Sequence, residues 1–160
     1  MATEDRALRD HLLELLRGGS AHVDIATVVD NFPHEFAGTK PKNVPYTPWQ
    51  LLEHIRFTVN DLLLFSTDPK YAAPNWPDDY WPAKQAAPEP GEWERSVKAL
   101  KADLSAFEGI IQDSKSNLYA RIPWGDGQTL LREVLLASDH TSYHLGELVL
   151  IRREFGVWKN

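Results

Sequence analysis

Leu130-Leu-Arg-Glu-Val-Leu-Leu-Ala-Ser-Asp139-His-Thr-Ser-Tyr-His144-Leu-Gly-Glu147-Leu-Val-Leu-Ile-Arg-Arg-Glu-Phe155 reads as one periodic segment. Wound as an α-helix, each residue turns by about 100°. Leu130, Glu133, Ala137, His140, His144, Glu147, Leu148, Ile151 and Phe155 then share one face, the apolar one expected to point into a core. Two histidines one turn apart, and a carboxylate three residues further on, stand where a helix normally carries aliphatic side chains. A buried polar group without a partner costs a few kcal/mol, roughly. The sequence therefore demands something that satisfies both imidazoles.

Upstream, three more helical stripes precede this one. Leu8, Leu12, Leu15 and Leu16 mark a helix over 3–17, stopped by Gly18-Gly19, with His11 at the stripe's edge. A second begins at Thr47-Pro-Trp-Gln50, a capping residue, a proline suited to the first turn and a box-closing Gln, and runs to about Phe65. Its stripe is Leu52, Ile55, Val59, Leu62 and Leu63; His54 lies on the flank beside Leu51, Thr58 and Asp61, a half-buried position suited to a side chain facing a cavity. A third helix over 91–113 carries Trp93, Val97, Leu100, Leu104, Phe107 and Ile111, with no ionisable residue in the stripe. It is the internal control: this chain builds a clean apolar face where no site is needed. With Thr129 as cap, the last helix spans 129–155. A shorter helix fits 22–31, around Ile25, Val28 and Val29.

Between these lie loops. Residues 32–46 hold three prolines, and 66–90 hold six together with Tyr71, Trp76, Tyr80 and Trp81. A loop of that length is uncommon in a compact domain and is often functional; the plainer reading is a hydrophobic cover over one end of the helices. Residues 114–128, with Trp124, form another loop. Four amphipathic helices without a strand pattern predict one all-α domain over 1–160, a four-helix bundle with long connections and room for crossovers.

Composition narrows the function classes. The chain has 160 residues, is 42% hydrophobic and 25% charged, and carries a net charge of -6. No basic stripe exists to neutralise phosphates, which argues against a nucleic-acid partner. The absence of cysteine excludes disulfides, thiolate catalysis and thiolate zinc sites. The start, MATEDRALRD, has no signal-peptide core, and no uncharged run approaches the roughly 20 residues of a membrane span. A cytoplasmic location is the expectation.

The chemistry rests on His140 and His144. At i and i+4 their rings can converge on one ion, as in helical H-E-x-x-H zinc sites, but the embedded Glu is missing, so a zinc-protease reading fails. Imidazoles suit Zn, Ni, Fe or Cu, and a catalytic site needs a third protein ligand with one position left open. His54 is the best third ligand, with Glu147 and Glu133 as the carboxylate alternatives. A lone histidine on an apolar face is more often a satisfied core residue, so the pair carries the signal. His22 and His34 are expected in solvated loops, and Asp139 and Tyr143 off the buried face. Trp49, Trp93 and Trp158 are expected in core or interface.

These residues resemble a family. Trp49-Gln-Leu-Leu-Glu-His54, then Asp61, then Asp139-His140-Thr-Ser-Tyr-His144-Leu-Gly-Glu147 with Arg152-Arg153 and Gly156, are similar to the DinB/YfiT-like superfamily across nearly the whole chain. The resemblance implies a four-helix bundle holding a divalent metal, usually Zn or Ni, on His54, His140 and His144. It also implies S-transferase or isomerase chemistry with a low-molecular-weight thiol. Where the family often has Gln, this chain has Glu147, a carboxylate placed to act as a base or to orient a neighbour. The expected protein is a metalloenzyme that activates water or a small thiol for hydrolysis or S-transfer. The rival is a non-catalytic, metal-stabilised dimeric binding protein, and a metal-free protein is the third reading. A homodimer is expected from the Trp and Pro content.

Overall fold

The computed structural model describes residues 3–87 and 89–158, and the fold is all-α. The helices are α1 (Thr3–Arg17), α2 (Ile25–Val29), α3 (His34–Ala37), α4 (Pro48–Thr67), α5 (Glu92–Gln112) and α6 (Leu130–Glu154). No strand forms among the described residues; one isolated antiparallel bridge joins Arg121 to Thr129. No helix there is long and apolar enough to cross a membrane.

Local chemistry sets the ends. Thr47 accepts from the Gln50 N–H while the Gln50 side chain accepts from the Thr47 N–H, a complete capping box with Pro48 in the first turn. Thr129 caps α6 by accepting from the Arg132 N–H. At the far end Gly156 takes φ +70°, a left-handed conformation that favours glycine, and the Val157 N–H returns to the Arg152 carbonyl. The C-terminus of α5 is closed from outside. The buried Arg9 of α1 donates to the carbonyls of Ile111 (2.6 Å), Asp113 (3.1 Å) and Ser116 (2.7 Å).

The long helices pack in a closed ring, α1 to α5 to α4 to α6 and back to α1. Consecutive pairs α1/α4 and α5/α6 thus lie across the ring, and the long connections carry those crossings. On α5 the buried residues are the expected stripe plus Ser96. Fully burying each large member of such a stripe contributes about 1.5–3 kcal/mol. Arg152 ties α2 to α6: it donates to the Val28 carbonyl (2.8 Å) and lies over the rings of Phe32 and Trp158.

Three expectations change. The segment 32–46 is not all loop, because α3 forms after Pro33 and Phe36 stacks on Phe155 (centroids 4.9 Å apart). His34 therefore sits on this short helix, still exposed. The buried face of α6 is also turned from the one expected. Glu133, Val134, Ala137, Ser138, Thr141, His144, Leu145, Leu148, Ile151 and Arg152 are buried, while His140 and Glu147 lie half-buried at its edge. Small side chains at 137, 138 and 141 let α6 approach its neighbours along that line. Third, the loop after α4 is tied to the flank of that helix along most of its length. It runs back along α4: the Tyr71 and Tyr80 hydroxyls meet Asp61, the Pro82 carbonyl accepts from the Gln50 amide, and the Gln85 carbonyl accepts from the Thr47 hydroxyl.

Candidate metal centre

His54 projects from α4 and His140 and His144 from α6, across the α4–α6 contact. One ring nitrogen from each lies within 4.8 Å of the others, and the ring centroids are 4.5–4.8 Å apart. His54 is more deeply buried than its flank position suggests, at 2% exposure, because the Trp81 ring lies flat on it at 3.8 Å.

Hydrogen bonds fix two tautomers by elimination. The Tyr80 carbonyl, which can only accept, lies 2.9 Å from His54 Nδ1. That nitrogen therefore carries the proton, and Nε2 keeps a lone pair. His144 Nδ1 lies 2.5 Å from Glu147 Oε2 and donates to that carboxylate, leaving its own Nε2 free. The other Glu147 oxygen accepts from the Tyr46 hydroxyl. Burial and the adjacent carboxylate push the Tyr46 pKa up, so its proton stays available for that bond. His140 is different: its Nε2 is 3.1 Å from His54 Nε2, and its buried Nδ1 has no partner among the described residues. Two neutral nitrogens at that distance must share one proton or one cation.

Divalent-metal ligation needs neutral imidazoles, with the second ring nitrogen held by an acceptor. The set fits this on donor type, spacing and tautomer. Burial, aided by His144 and His54, pushes His140 down to about 3. Burial also lowers His54, against the raising effect of the Tyr80 carbonyl bond. Below the ordinary histidine value of about 6.5 the unfolded chain takes up protons that the folded one refuses. Metal-free protein should therefore lose stability as pH falls through 6 toward 3. Thermal melts at pH 7.5 and 5 are expected to differ by several degrees, and His140→Gln should shrink that difference; an equal drop in the variant would show that carboxylates alone cause it.

A cavity of about 440 Å³ opens onto the three rings, walled by Trp76, Trp81, Leu136, Asp139 and Tyr143. Asp139 and Tyr143 are off the buried face, as expected, yet they form the cavity rim because His140 stands at the edge of that face. Glu133 does not join the cluster; it is fully buried and paired with Arg132. His11 and His22 line a separate cleft, and His22 is exposed, bonded to Ser142. Trp49 and Trp93 are in the core, and Trp158 is half-buried against Arg152.

Periodicity missed Tyr46, Tyr80 and the part played by Asp61. Asp61 accepts from both Tyr71 and Tyr80, at 2.8 Å each, and so holds the loop whose carbonyl holds His54. The one available signal was two tyrosines in a loop opposite a carboxylate on the flank of α4. No family model matches the chain, and no curated protein or solved structure does either.

Proposed function

We propose that the protein is a metal-dependent enzyme of the DinB/YfiT-like kind, a four-helix bundle whose His54, His140 and His144 hold one divalent ion, Zn or Ni. The observation that carries this reading is the convergence of three imidazoles, two with their outer protons held by acceptors, at the floor of an open cavity. When bound, such an ion supplies a Lewis acid that lowers the pKa of a water or a thiol, the common requirement of hydrolysis and S-transfer.

The chain's own residues do the positioning. The Tyr80 carbonyl and Glu147 keep protons on the outer nitrogens of His54 and His144, turning both Nε2 lone pairs inward. The Trp81 ring closes one side of His54 to water. Of the two roles expected of Glu147, orientation is favoured: one oxygen receives the His144 proton, the other the Tyr46 hydroxyl, and the carboxylate is not part of the cavity wall. A structural metal site normally closes with four protein ligands, whereas the group here has three and faces a cavity, which favours catalysis over a purely structural ion.

Elemental analysis of protein purified without chelator should find close to one zinc or nickel per chain. Assays of thiol transfer and ester or amide hydrolysis with a panel of small thiols should then find turnover that a chelator abolishes. A protein that takes up no divalent ion overturns the reading. One that binds an ion tightly but turns over none of the panel supports the non-catalytic alternative.

A further inference from the structure

We infer that the cavity before the three histidines selects a flat aromatic group that is uncharged or positively charged, and disfavours ligands bearing carboxylates. This rests on the proposed reading only in taking the cavity as the substrate entrance. Two large rings stand at its rim, Trp76 from the loop and Tyr143 from α6, and each is 66% exposed. Trp76 lies 6.4 Å from the His54 ring and Tyr143 lies 4.8 Å from the His144 ring, centroid to centroid. Leu136 adds an apolar side chain to the same wall. Aromatic faces left open in this way offer stacking and edge contacts to another ring, and their negative π clouds attract a cation.

The carboxylate in the cavity wall, Asp139, is unopposed by a lysine or arginine of that wall. Asp78 and Asp79, both exposed, follow Trp76 by two and three residues. The net charge of -6 adds a long-range field of the same sign. Apart from an ion on the three histidines, a carboxylate entering here meets no lysine and no guanidinium fork in the wall, the usual device for holding such a group. A small thiol with several carboxylates is thus a poor fit, whereas an arylthiol or an aryl ring with an ammonium tail fits both wall and field.

The test uses the full chain, first without metal, with benzylamine, benzyl alcohol and benzoate as probes at pH 7.5. Binding is read from the shifts of the tryptophan indole N–H signals. Benzylamine should bind roughly tenfold more tightly than benzoate, with benzyl alcohol between. Trp76→Ala, at a residue 66% exposed, should weaken benzylamine severalfold. Asp139→Lys should narrow or invert the preference. Benzoate binding as tightly as benzylamine, or benzylamine binding unchanged in Trp76→Ala, overturns the inference. Because the deciding measurements need no ion, their failure is separable from failure of the metal site. Repeating the series on zinc-loaded protein with 4-(aminomethyl)benzenethiol against 4-mercaptobenzoate should reproduce the order; equal affinities there also count against it.

Discussion

Replacing His144 by alanine should weaken zinc or nickel binding by roughly 100- to 1,000-fold. Structural zinc sites bind with roughly 10–16 kcal/mol over four ligands, so one ligand accounts for about 2.5–4 kcal/mol. His54→Ala and His140→Ala should lose comparable affinity, and His22→Ala, at an exposed position bonded to Ser142, should lose none. Helix content should largely survive. Alanine is the best helix former, and the rest of the α6 face, including Val134, Leu145, Leu148 and Ile151, stays aliphatic. Among the three, His54→Ala should destabilise the metal-free protein most, since it also removes the stack on Trp81 and the bond to the Tyr80 carbonyl. Competition titrations with a chromogenic chelator read the affinities, and circular dichroism reads the helices. If the three variants bind zinc as tightly as His22→Ala, the histidines are not ligands and the proposed function loses its basis.

Sequence periodicity was enough for the long helices because their stripes and caps are local. Thr47, Pro48 and Gln50 set the start of α4 within four residues, and α5 could be read residue by residue. α4 runs two residues past the expected end, to Thr67, and the Asp68 N–H still returns to the Leu64 carbonyl, a continuation that no apolar stripe residue marks. The histidines were also legible, since imidazoles at helical spacing on an apolar segment are conspicuous by type. What could not be read is what depends on distant partners. Tyr46 reaches Glu147 across 101 positions, and nothing local in either marks the pair. The group that fixes the His54 tautomer is a backbone carbonyl, which has no letter in the sequence. The turn of the α6 face escaped for another reason. Ser138 and Thr141 are polar by type but small, so they pack in the core as well as the aliphatic residues a periodicity argument favours.

The link from Asp61 to the metal centre yields the second large effect. Asp61, at 9% exposure, is the common acceptor for the Tyr71 and Tyr80 hydroxyls. Burial, then the hydrogen bond to the Asp61 carboxylate and its charge, push both phenol pKa values up, so each stays a donor. Hydrogen bonds to a charged group contribute about 1.5–3 kcal/mol each. Asp61→Ala should therefore cost roughly 3–6 kcal/mol, or on the order of 10 °C in Tm for a chain of this size. It should also free the loop segment whose Tyr80 carbonyl orients His54, weakening metal binding by about 10–100-fold, the usual cost of losing an outer partner of a ligand. Tyr71→Phe and Tyr80→Phe each remove one bond to Asp61 and should lose similar stability. They differ in consequence: the Tyr80 anchor is on the residue that holds His54, so only Tyr80→Phe should lower zinc affinity clearly. Stability and affinity are thereby separated, which a merely structural role for Asp61 would not do. Equal zinc affinity in Tyr71→Phe and Tyr80→Phe, or wild-type affinity in a folded Asp61→Ala protein, would mean that the loop holds itself without this carboxylate and that His54 needs no help from it.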